Sequence, residues 1–184
     1  MPRNDLNPCT DESLMCLFRD TLDEDVFTEL MTRHYGPALH LAEIRLFDPE
    51  NAIDAVQEAF IRIVRKRKRY DGRRFAPWFY SILRNICTDI IRKEMRRQKK
   101  HTDFKEQPLT EAPPASKPHD EFDTLIGSLS PRDREALTLR YAADLSFAEM
   151  AALLSCSEAA AKKRAQRALH HLRKTHVPEN SRET

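Results

Sequence analysis

Apolar residues recur at spacings of three and four positions over most of the chain, which is the period of an amphipathic α-helix. Before Lys100 this pattern predicts four helices. The first begins between Asp11 and Thr21 and runs to His34, and the second restarts at Tyr35-Gly36-Pro37. Strand-like runs of Val, Ile and Thr are almost absent, so the chain is predicted to be all-α.

The third predicted helix opens at Asp48, which caps it, with Pro49 in the first turn, where the missing N–H of proline costs no hydrogen bond. Its apolar positions are Ala52, Ala55, Val56, Ala59, Phe60, Ile63 and Val64. The helix ends in the basic run Arg65–Arg69, and Tyr70–Arg74 is predicted to form a loop. The fourth helix begins near Phe75 and continues to about Gln98.

The helical pattern stops at His101–Asp120, a stretch with four prolines and few large apolar residues. Proline removes a backbone donor and disfavours helix in the residue before it, so this stretch is predicted to be an extended tether. The chain then divides into a first domain of residues 11–100, a flexible linker of residues 101–120, a second domain of residues 121–176 and a disordered tail of residues 177–184.

Three or four further helices are predicted after the linker. Ser130 caps one whose apolar face includes Ala136, Leu137, Leu139 and Tyr141. Ser146 and Glu149 form a capping box at the start of a short helix that ends at Leu154. After the turn Ser155-Cys156-Ser157, a basic helix runs from Glu158 to about Lys174. This order predicts a helix-turn-helix, whose second helix usually enters the DNA major groove.

Charge is distributed unevenly, although the net charge of the 184-residue chain is only +2. Between Arg62 and Lys100 there are 15 basic residues and three acidic ones, and a second basic cluster lies between Lys162 and Lys174. Two separate basic blocks on predicted helices favour a polyanion that is contacted at two places. The alternative is that both blocks are solvated helix faces.

Two surfaces have the side chains that nucleic-acid binding requires. On the basic helix, Glu158, Ala159, Lys162, Lys163, Gln166 and Arg167 are predicted to face outward, where they reach base edges or phosphates. In the first domain, aromatic residues accompany the basic ones, as in proteins that hold single-stranded nucleic acid. Because Phe75 and Phe79 are predicted core residues, the polar loop Tyr70–Arg74 is the better candidate for a pocket that holds an unpaired base.

No constellation of catalytic or metal-binding residues is visible. The seven histidines do not cluster with acids or cysteines at ligand spacing, and the four cysteines show no CxxC pattern. The sequence therefore predicts no enzymatic activity, no metal and no cofactor. With no disulfide framework, no signal peptide and no apolar run long enough to cross a bilayer, the protein is expected to be cytoplasmic, without membrane insertion.

The motif Asp54-Ala55-Val56-Gln57-Glu58-Ala59-Phe60 resembles the D-x-V-Q-E-x-F signature of extracytoplasmic-function (ECF) RNA polymerase sigma factors, group IV of the sigma-70 family. The segment Phe75–Asn85 is similar to the F-x-x-W-L-x-x-I-x-x-N pattern that follows it in that family. Leu129–Glu135, Arg140-Tyr141 and Leu145–Ala151 look like the family's C-terminal domain. Together these segments cover nearly everything but the tails and the linker.

The resemblance implies two small helical domains, a four-helix sigma-2 type and a helix-turn-helix sigma-4 type, joined by the proline-rich linker. It also implies an alternative sigma factor that directs core RNA polymerase to specific promoters and helps to open them. Implied partners are the clamp helices of the largest polymerase subunit, the flap of the second-largest subunit, promoter DNA and an anti-sigma factor.

The resemblance further assigns site residues to three groups. The implied polymerase-binding residues are Asp54, Gln57, Glu58, Ile61 and Arg62. The implied contacts to the −10 element are Tyr70, Asp71, Gly72, Arg73, Arg74, Trp78, Arg84, Asn85, Thr88 and Arg92. The implied contacts to the −35 element are Ser157, Glu158, Ala159, Lys162, Lys163, Arg164, Gln166 and Arg167.

Two positions depart from the family pattern. Ser155 stands where the turn usually has glycine, and Ala159-Ala160-Ala161 replaces the usual G-T-V, so the helix keeps its cations but loses hydroxyls. Two other functions stay open at this point. A stand-alone helix-turn-helix regulator would bind duplex DNA without polymerase, and a regulatory interaction protein would bind polymerase without DNA.

Overall fold

The computed structural model of the chain describes residue 6 and residues 8–102 and 125–176. These residues form two compact helical units, one on either side of the stretch 103–124. No β-strand occurs in the described part, which confirms the predicted all-α class. Most of the predicted linker and the whole predicted tail lie outside the described residues.

Four α-helices make up the described part of the first unit: α1 (Asp11–Thr21), α2 (Glu24–Leu46), α3 (Pro49–Lys66) and α4 (Phe75–Thr102). A short 3₁₀ helix, Arg67–Arg69, follows α3. Capping side chains mark the start of three of these helices. The side chains of Thr10, Asp23 and Asp48 each accept a hydrogen bond from a backbone amide in the first turn of α1, α2 and α3.

The prediction of a helix restart at Tyr35-Gly36-Pro37 is wrong. Helix α2 continues through Gly36 and Pro37, and the break lies earlier, at Leu22, which adopts the left-handed conformation with φ 57°. Proline inside a helix costs about 3 kcal/mol. Buried residues on both sides of it stabilise the continuous helix: Val26, Leu30, Ala38, Leu39, Leu41 and Ile44.

The core of the first unit is aromatic. Phe75 and Phe79 are fully buried and stack with ring centroids 5.8 Å apart, and Phe60 of α3 stacks on Phe79 at 5.0 Å. The predicted core placement of Phe75 and Phe79 is therefore confirmed. Because both rings come from the first turns of α4, the core determines where α4 begins and where the preceding loop enters it.

The second unit contains α5 (Pro131–Leu137), α6 (Phe147–Leu154) and α7 (Glu158–His176). Its core joins α5 and α7 through the buried residues Ile126, Leu129, Leu137, Ala168 and Leu172. The predicted caps are present, since Ser130 accepts from the Asp133 amide and the Ser146–Glu149 capping box has both of its hydrogen bonds.

One predicted core residue of this unit is exposed. Helix α5 passes into a π-helical turn, Thr138–Ala142, closed by the Ala143 amide donating to the Thr138 carbonyl at 2.9 Å. The wider turn changes the angular position of the residues that follow. Leu139 stays buried, but Tyr141 is 53% exposed, so the predicted apolar face ends before Tyr141.

Candidate functional site

Helix α7 has one buried face and one basic, solvent-exposed face. Ala161, Ala165, Ala168 and Leu172 are buried. Its exposed residues include Ser157, Glu158, Ala159, Lys162, Lys163, Gln166 and Arg167, while Arg164 is half-buried. The Ser157 hydroxyl accepts from the Ala160 amide at 3.2 Å and so caps the helix. The N-terminal turns of α7 thus project side chains away from the unit, as the sequence predicts.

The turn between α6 and α7 requires a left-handed residue, and Ser155 supplies it with φ 55°. Its amide donates to the Ala151 carbonyl and closes α6. Glycine usually occupies such a position because a Cβ atom is strained there. The turn therefore keeps its geometry without glycine.

Arg167 differs from the other cations of α7. Its guanidinium donates to the Asp133 carboxylate at 2.6 Å, and this pair links α7 to the first turn of α5. The sequence predicts Arg167 as an outward DNA contact and gives no signal for its partner Asp133. Because the two residues are 34 positions apart, no local pattern indicates their pairing.

Helix α3 presents a mixed acidic and apolar face to solvent. Asp54 and Gln57 are exposed, Ile61 is 44% exposed, and Glu58 pairs with Arg62 at 2.7 Å, one helical turn away. All of these residues are within the predicted polymerase-binding group. The structure adds Ile53, which is 38% exposed and lies one turn before Gln57.

The loop between the 3₁₀ helix and α4 has one buried end. Tyr70 is only 3% exposed, and its hydroxyl donates to the Arg73 carbonyl. Burial raises the pKa of Tyr70 above the usual tyrosine range, so the phenol is neutral. Tyr70 is thus a support within the core, and its ring is not open to a base.

The remaining loop residues, Asp71, Gly72, Arg73 and Arg74, are exposed. Asp71 accepts from the Arg73 amide at 3.1 Å and pairs with the Arg73 guanidinium at 3.2 Å. Gly72 has φ 80°, a conformation that side chains rarely adopt. The half-buried Trp78 packs beside Tyr70, with ring centroids 5.2 Å apart, and so borders the loop.

Along α4, the predicted polar face is partly open and partly packed. Asn85 and Arg92 are exposed, whereas Arg84 and Thr88 are half-buried. The Thr88 hydroxyl donates to the Arg84 carbonyl at 2.8 Å and accepts from the Arg45 guanidinium of α2 at 3.5 Å. Arg45 is not among the predicted site residues, and its position as the basic residue in the last turn of α2 is the one signal for it.

A buried histidine and an aspartate also form a pair that sequence spacing does not reveal. His34 Nε2 and Asp11 Oδ2 are 2.7 Å apart, and Arg33 donates to Asp11 Oδ1 at 2.9 Å. The side chain of His34 lies against the rings of Phe75, Phe79 and Tyr80. The pair joins α1 to α2.

Neither a metal cluster nor a membrane-spanning helix appears in the described residues. No three or more His, Cys, Asp and Glu side chains there are grouped so as to hold a metal ion. None of the helices described is both long enough and apolar enough to cross a bilayer.

Comparisons with protein families give two matches in chain order. The model of Sigma-70 region 2 matches residues 30–97, which include most of α2, all of α3 and most of α4. The model of Sigma-70, region 4 matches residues 119–172, which include the helix-turn-helix. A stand-alone helix-turn-helix regulator is not favoured, because the region 2 match lies in the other unit.

Individual relatives agree with the family matches. The chain is 32% identical over 165 residues to the RNA polymerase sigma factor CarQ of Myxococcus xanthus, covering 85% of this chain and 91% of that protein. It is 29% identical over 154 residues to the ECF RNA polymerase sigma factor EcfG of Rhodopseudomonas palustris, covering 81% of each.

A solved structure shows the same similarity. The sigma factor RpoE of Bartonella quintana, determined in complex with the anti-sigma factor NepR, is similar with a TM-score of 0.58 and 27% sequence identity. The similarity covers 83% of this chain and 96% of that one.

Proposed function

Because the chain belongs to the sigma-70 family, in its ECF group, we propose that its surface is divided among three binding tasks. The protein is an alternative sigma factor, which directs core RNA polymerase to specific promoters and helps to open them for transcription initiation. Sigma factors bind core polymerase and promoter DNA, and three surfaces of this chain make these contacts.

Core polymerase binds the exposed face of α3. Asp54, Gln57, Glu58, Ile61 and Arg62 form this face. The support for it is the exposed Asp54 carboxylate, with the half-buried Glu58 one turn on, beside the exposed Ile61. Exposed apolar side chains rimmed by polar residues mark interaction sites when they form a patch. Ile53 extends the apolar part of the face.

The −35 element binds the N-terminal turns of α7. Lys162 and Lys163 are exposed there, and the helix N-terminus adds a partial positive charge near the DNA backbone. Ser157, Glu158, Ala159 and Gln166 line the same edge, together with the half-buried Arg164 and the exposed Arg167. Because Arg167 is paired with Asp133, its main task is to orient α7 and not to contact a base.

The −10 element binds the loop Asp71–Arg74 and the exposed edge of α4. An unpaired base enters beside the loop, where Trp78 supplies an aromatic wall, and Asn85 and Arg92 contact the strand. Arg84 and Thr88 are positioned behind that edge together with Arg45. Tyr70 acts from the core, by holding the Arg73 carbonyl.

The order of the two family regions in one chain is the observation that carries the function, and it is tested by run-off transcription. Core polymerase is incubated with a genomic fragment library, with and without the protein. Specific new transcripts that vanish when Asp54 and Glu58 are both changed to lysine are expected. A duplex footprint by the protein alone, without transcripts, would contradict the sigma function.

Three further properties follow for the whole protein. It has no enzymatic activity of its own, since sigma factors are non-catalytic initiation factors. It acts in the cytoplasm, where polymerase is. An anti-sigma factor controls it, and the support is the similarity to a sigma factor solved with such a partner.

A further inference from the structure

Helix α1 lies before residue 30, where the region 2 match begins, yet it contacts both ends of the candidate −10 loop. The Glu12 carboxylate accepts a hydrogen bond from the Phe75 amide at 3.0 Å. The Arg19 guanidinium donates to the Tyr70 carbonyl at 3.2 Å. The two contacts therefore bracket the loop residues 71–74.

The Glu12 contact acts at the start of α4. Phe75 is the first residue of that helix, and the first amides of a helix have no partner within it. A carboxylate from a separate helix satisfies this amide and adds a negative charge at the positive end of the helix dipole. Glu12 thus performs the task that a capping residue in the loop usually performs.

The Arg19 contact acts at the other end of the loop. Arg19 is oriented by Asp20, with which it makes two hydrogen bonds of 2.8 and 3.1 Å. Between the two ends, Cys16 Sγ lies 3.8 Å from the point where a side chain on Gly72 would begin. The two hydrogen bonds and Cys16 come from one face of α1, because Glu12, Cys16 and Arg19 are spaced by four and three positions.

Helix α1 is itself anchored by contacts to α2. Arg33 of α2 donates to the carboxylate of Asp11 and to the carbonyls of Leu6 and Cys9. These contacts join the start of α1 to the body of the first unit. The support under the loop is therefore a helix whose own position is determined by buried and charged contacts.

We propose that Glu12 and Arg19 are positioning residues for promoter opening, which hold the loop Asp71–Arg74 in the shape that receives an unpaired −10 base. The inference rests on the proposed role of this loop. A loop that is already ordered in the free protein binds more tightly, because less conformational entropy is lost on binding. Loss of either contact therefore weakens capture of the melted strand and leaves polymerase binding and −35 binding unchanged.

The first measurement needs no promoter. Hydrogen–deuterium exchange of the full chain is compared for the unsubstituted protein, Glu12→Ala, Glu12→Gln and Glu24→Ala. Exchange in residues 70–78 is expected to rise about tenfold in Glu12→Ala, as loss of one hydrogen bond allows. Glutamine retains an acceptor oxygen and is expected to preserve protection, and the exposed Glu24 at the start of α2 serves as the matched control.

The second measurement uses holoenzyme and a promoter fragment recovered by run-off transcription, with a fluorescent base analogue at the −10 position. Glu12→Ala and Arg19→Met are expected to slow opening about fivefold to tenfold, with unchanged affinity for core polymerase and −35 duplex. Glu12→Gln is expected to open the promoter at the unsubstituted rate.

The outcomes separate this inference from the proposed function. Unchanged exchange and unchanged opening in Glu12→Ala would overturn the positioning role, while an opening defect in Arg73→Ala would leave the loop assignment intact. If Arg73→Ala also opens the promoter normally, the loop assignment itself fails. Parallel loss of polymerase and −35 binding in Glu12→Ala would also overturn the inference, since it would show a general structural role.

Discussion

The guanidinium of Arg167, on the exposed face of α7, donates to the carboxylate of Asp133 at 2.6 Å, and only 15% of the Asp133 side chain is exposed. Asp133 also accepts from the Ser130 hydroxyl at 2.9 Å. One carboxylate thus connects the cap of α5 to the helix proposed to read the −35 element. The orientation of α7 depends on this connection as well as on its buried alanines.

This pair predicts a modest change in stability. Asp133→Ala is expected to lower the free energy of unfolding of the second unit by about 0.5–1 kcal/mol, because the Arg167 side chain is largely exposed and solvent weakens the pair. Urea denaturation of the full chain, followed by far-ultraviolet circular dichroism, measures this change. Arg132→Ala, an exposed cation beside Asp133, is the control, and an equal loss there would contradict the pairing.

Lys162 is predicted to contact promoter DNA. Lys162→Ala is expected to weaken binding of the −35 duplex by about 1–3 kcal/mol if the ammonium contacts a base, with relaxed specificity at one position. A contact to phosphate alone is expected to weaken all sequences similarly and to reduce the salt dependence. Quantitative footprinting at several salt concentrations separates the two. Lys174→Ala, at the far end of α7, is the matched control.

The acidic residues of α3 are predicted to carry polymerase binding. Charge reversal in Asp54→Lys with Glu58→Lys is expected to lower affinity for core polymerase at least about tenfold, because like charges or unpaired charges then meet across the interface. Competition for core polymerase against a labelled copy of the protein measures this affinity. Glu24→Lys changes charge on a different helix, and a similar loss there would show only a nonspecific effect of charge.

The positive φ of Gly72 is predicted to be required for the shape of the loop Asp71–Arg74. Gly72→Ala is expected to cost roughly 1 kcal/mol, since an L side chain is strained at φ 80°, whereas the nearest atom leaves enough space for a methyl group. The strain changes the conformation of the loop, so promoter opening is expected to slow while the affinity for core polymerase is retained. Gly36→Ala, in the middle of α2 with open space around it, is the control and is expected to be neutral or stabilising.

The lowered pKa of Asp11 predicts that the first unit becomes less stable at acidic pH. Burial raises the pKa of Asp11, but the hydrogen bonds and charges of His34 and Arg33 outweigh it, and the pKa lies below its ordinary value of 3.8. A carboxyl group with a lowered pKa stabilises the fold above its unfolded pKa. That stabilisation is lost as pH falls from 3.8 through the folded value.

The free energy of unfolding is measured by urea denaturation at a series of pH values between neutral and strongly acidic. Asp11→Asn is expected to be less stable at neutral pH and to show a smaller decrease on acidification. Asp25→Asn, an exposed acid in the first turn of α2, is the control. If Asp11→Asn loses as much stability on acidification as the unsubstituted protein does, other carboxyl groups cause the loss.

Features that depend on neighbouring residues can be predicted from the order of amino acids alone. Caps at Asp48, Ser130 and Ser146, the three- and four-residue apolar spacing, and the buried and exposed faces of α7 all involve residues within one or two helical turns. Hydrogen bonds and side-chain contacts at that range follow from the order of residues alone. The family motifs are local in the same sense.

Features that depend on the packing of distant residues become visible only in the folded protein. Continuation of α2 through Pro37 follows from burial of its apolar face, which outweighs the local preference for a break. Burial of Tyr70 follows from the aromatic core beneath the loop.

The pairs that position the candidate sites are also tertiary. Glu12 and Phe75 are 63 positions apart in the chain, and Asp133 and Arg167 are 34 apart. No spacing in the sequence indicates either pair. The two residues of each pair meet because separate helices pack together, and the period of one helix does not bring them together. The sequence thus determined which helices form and which faces they bury, and packing decided which polar side chains meet.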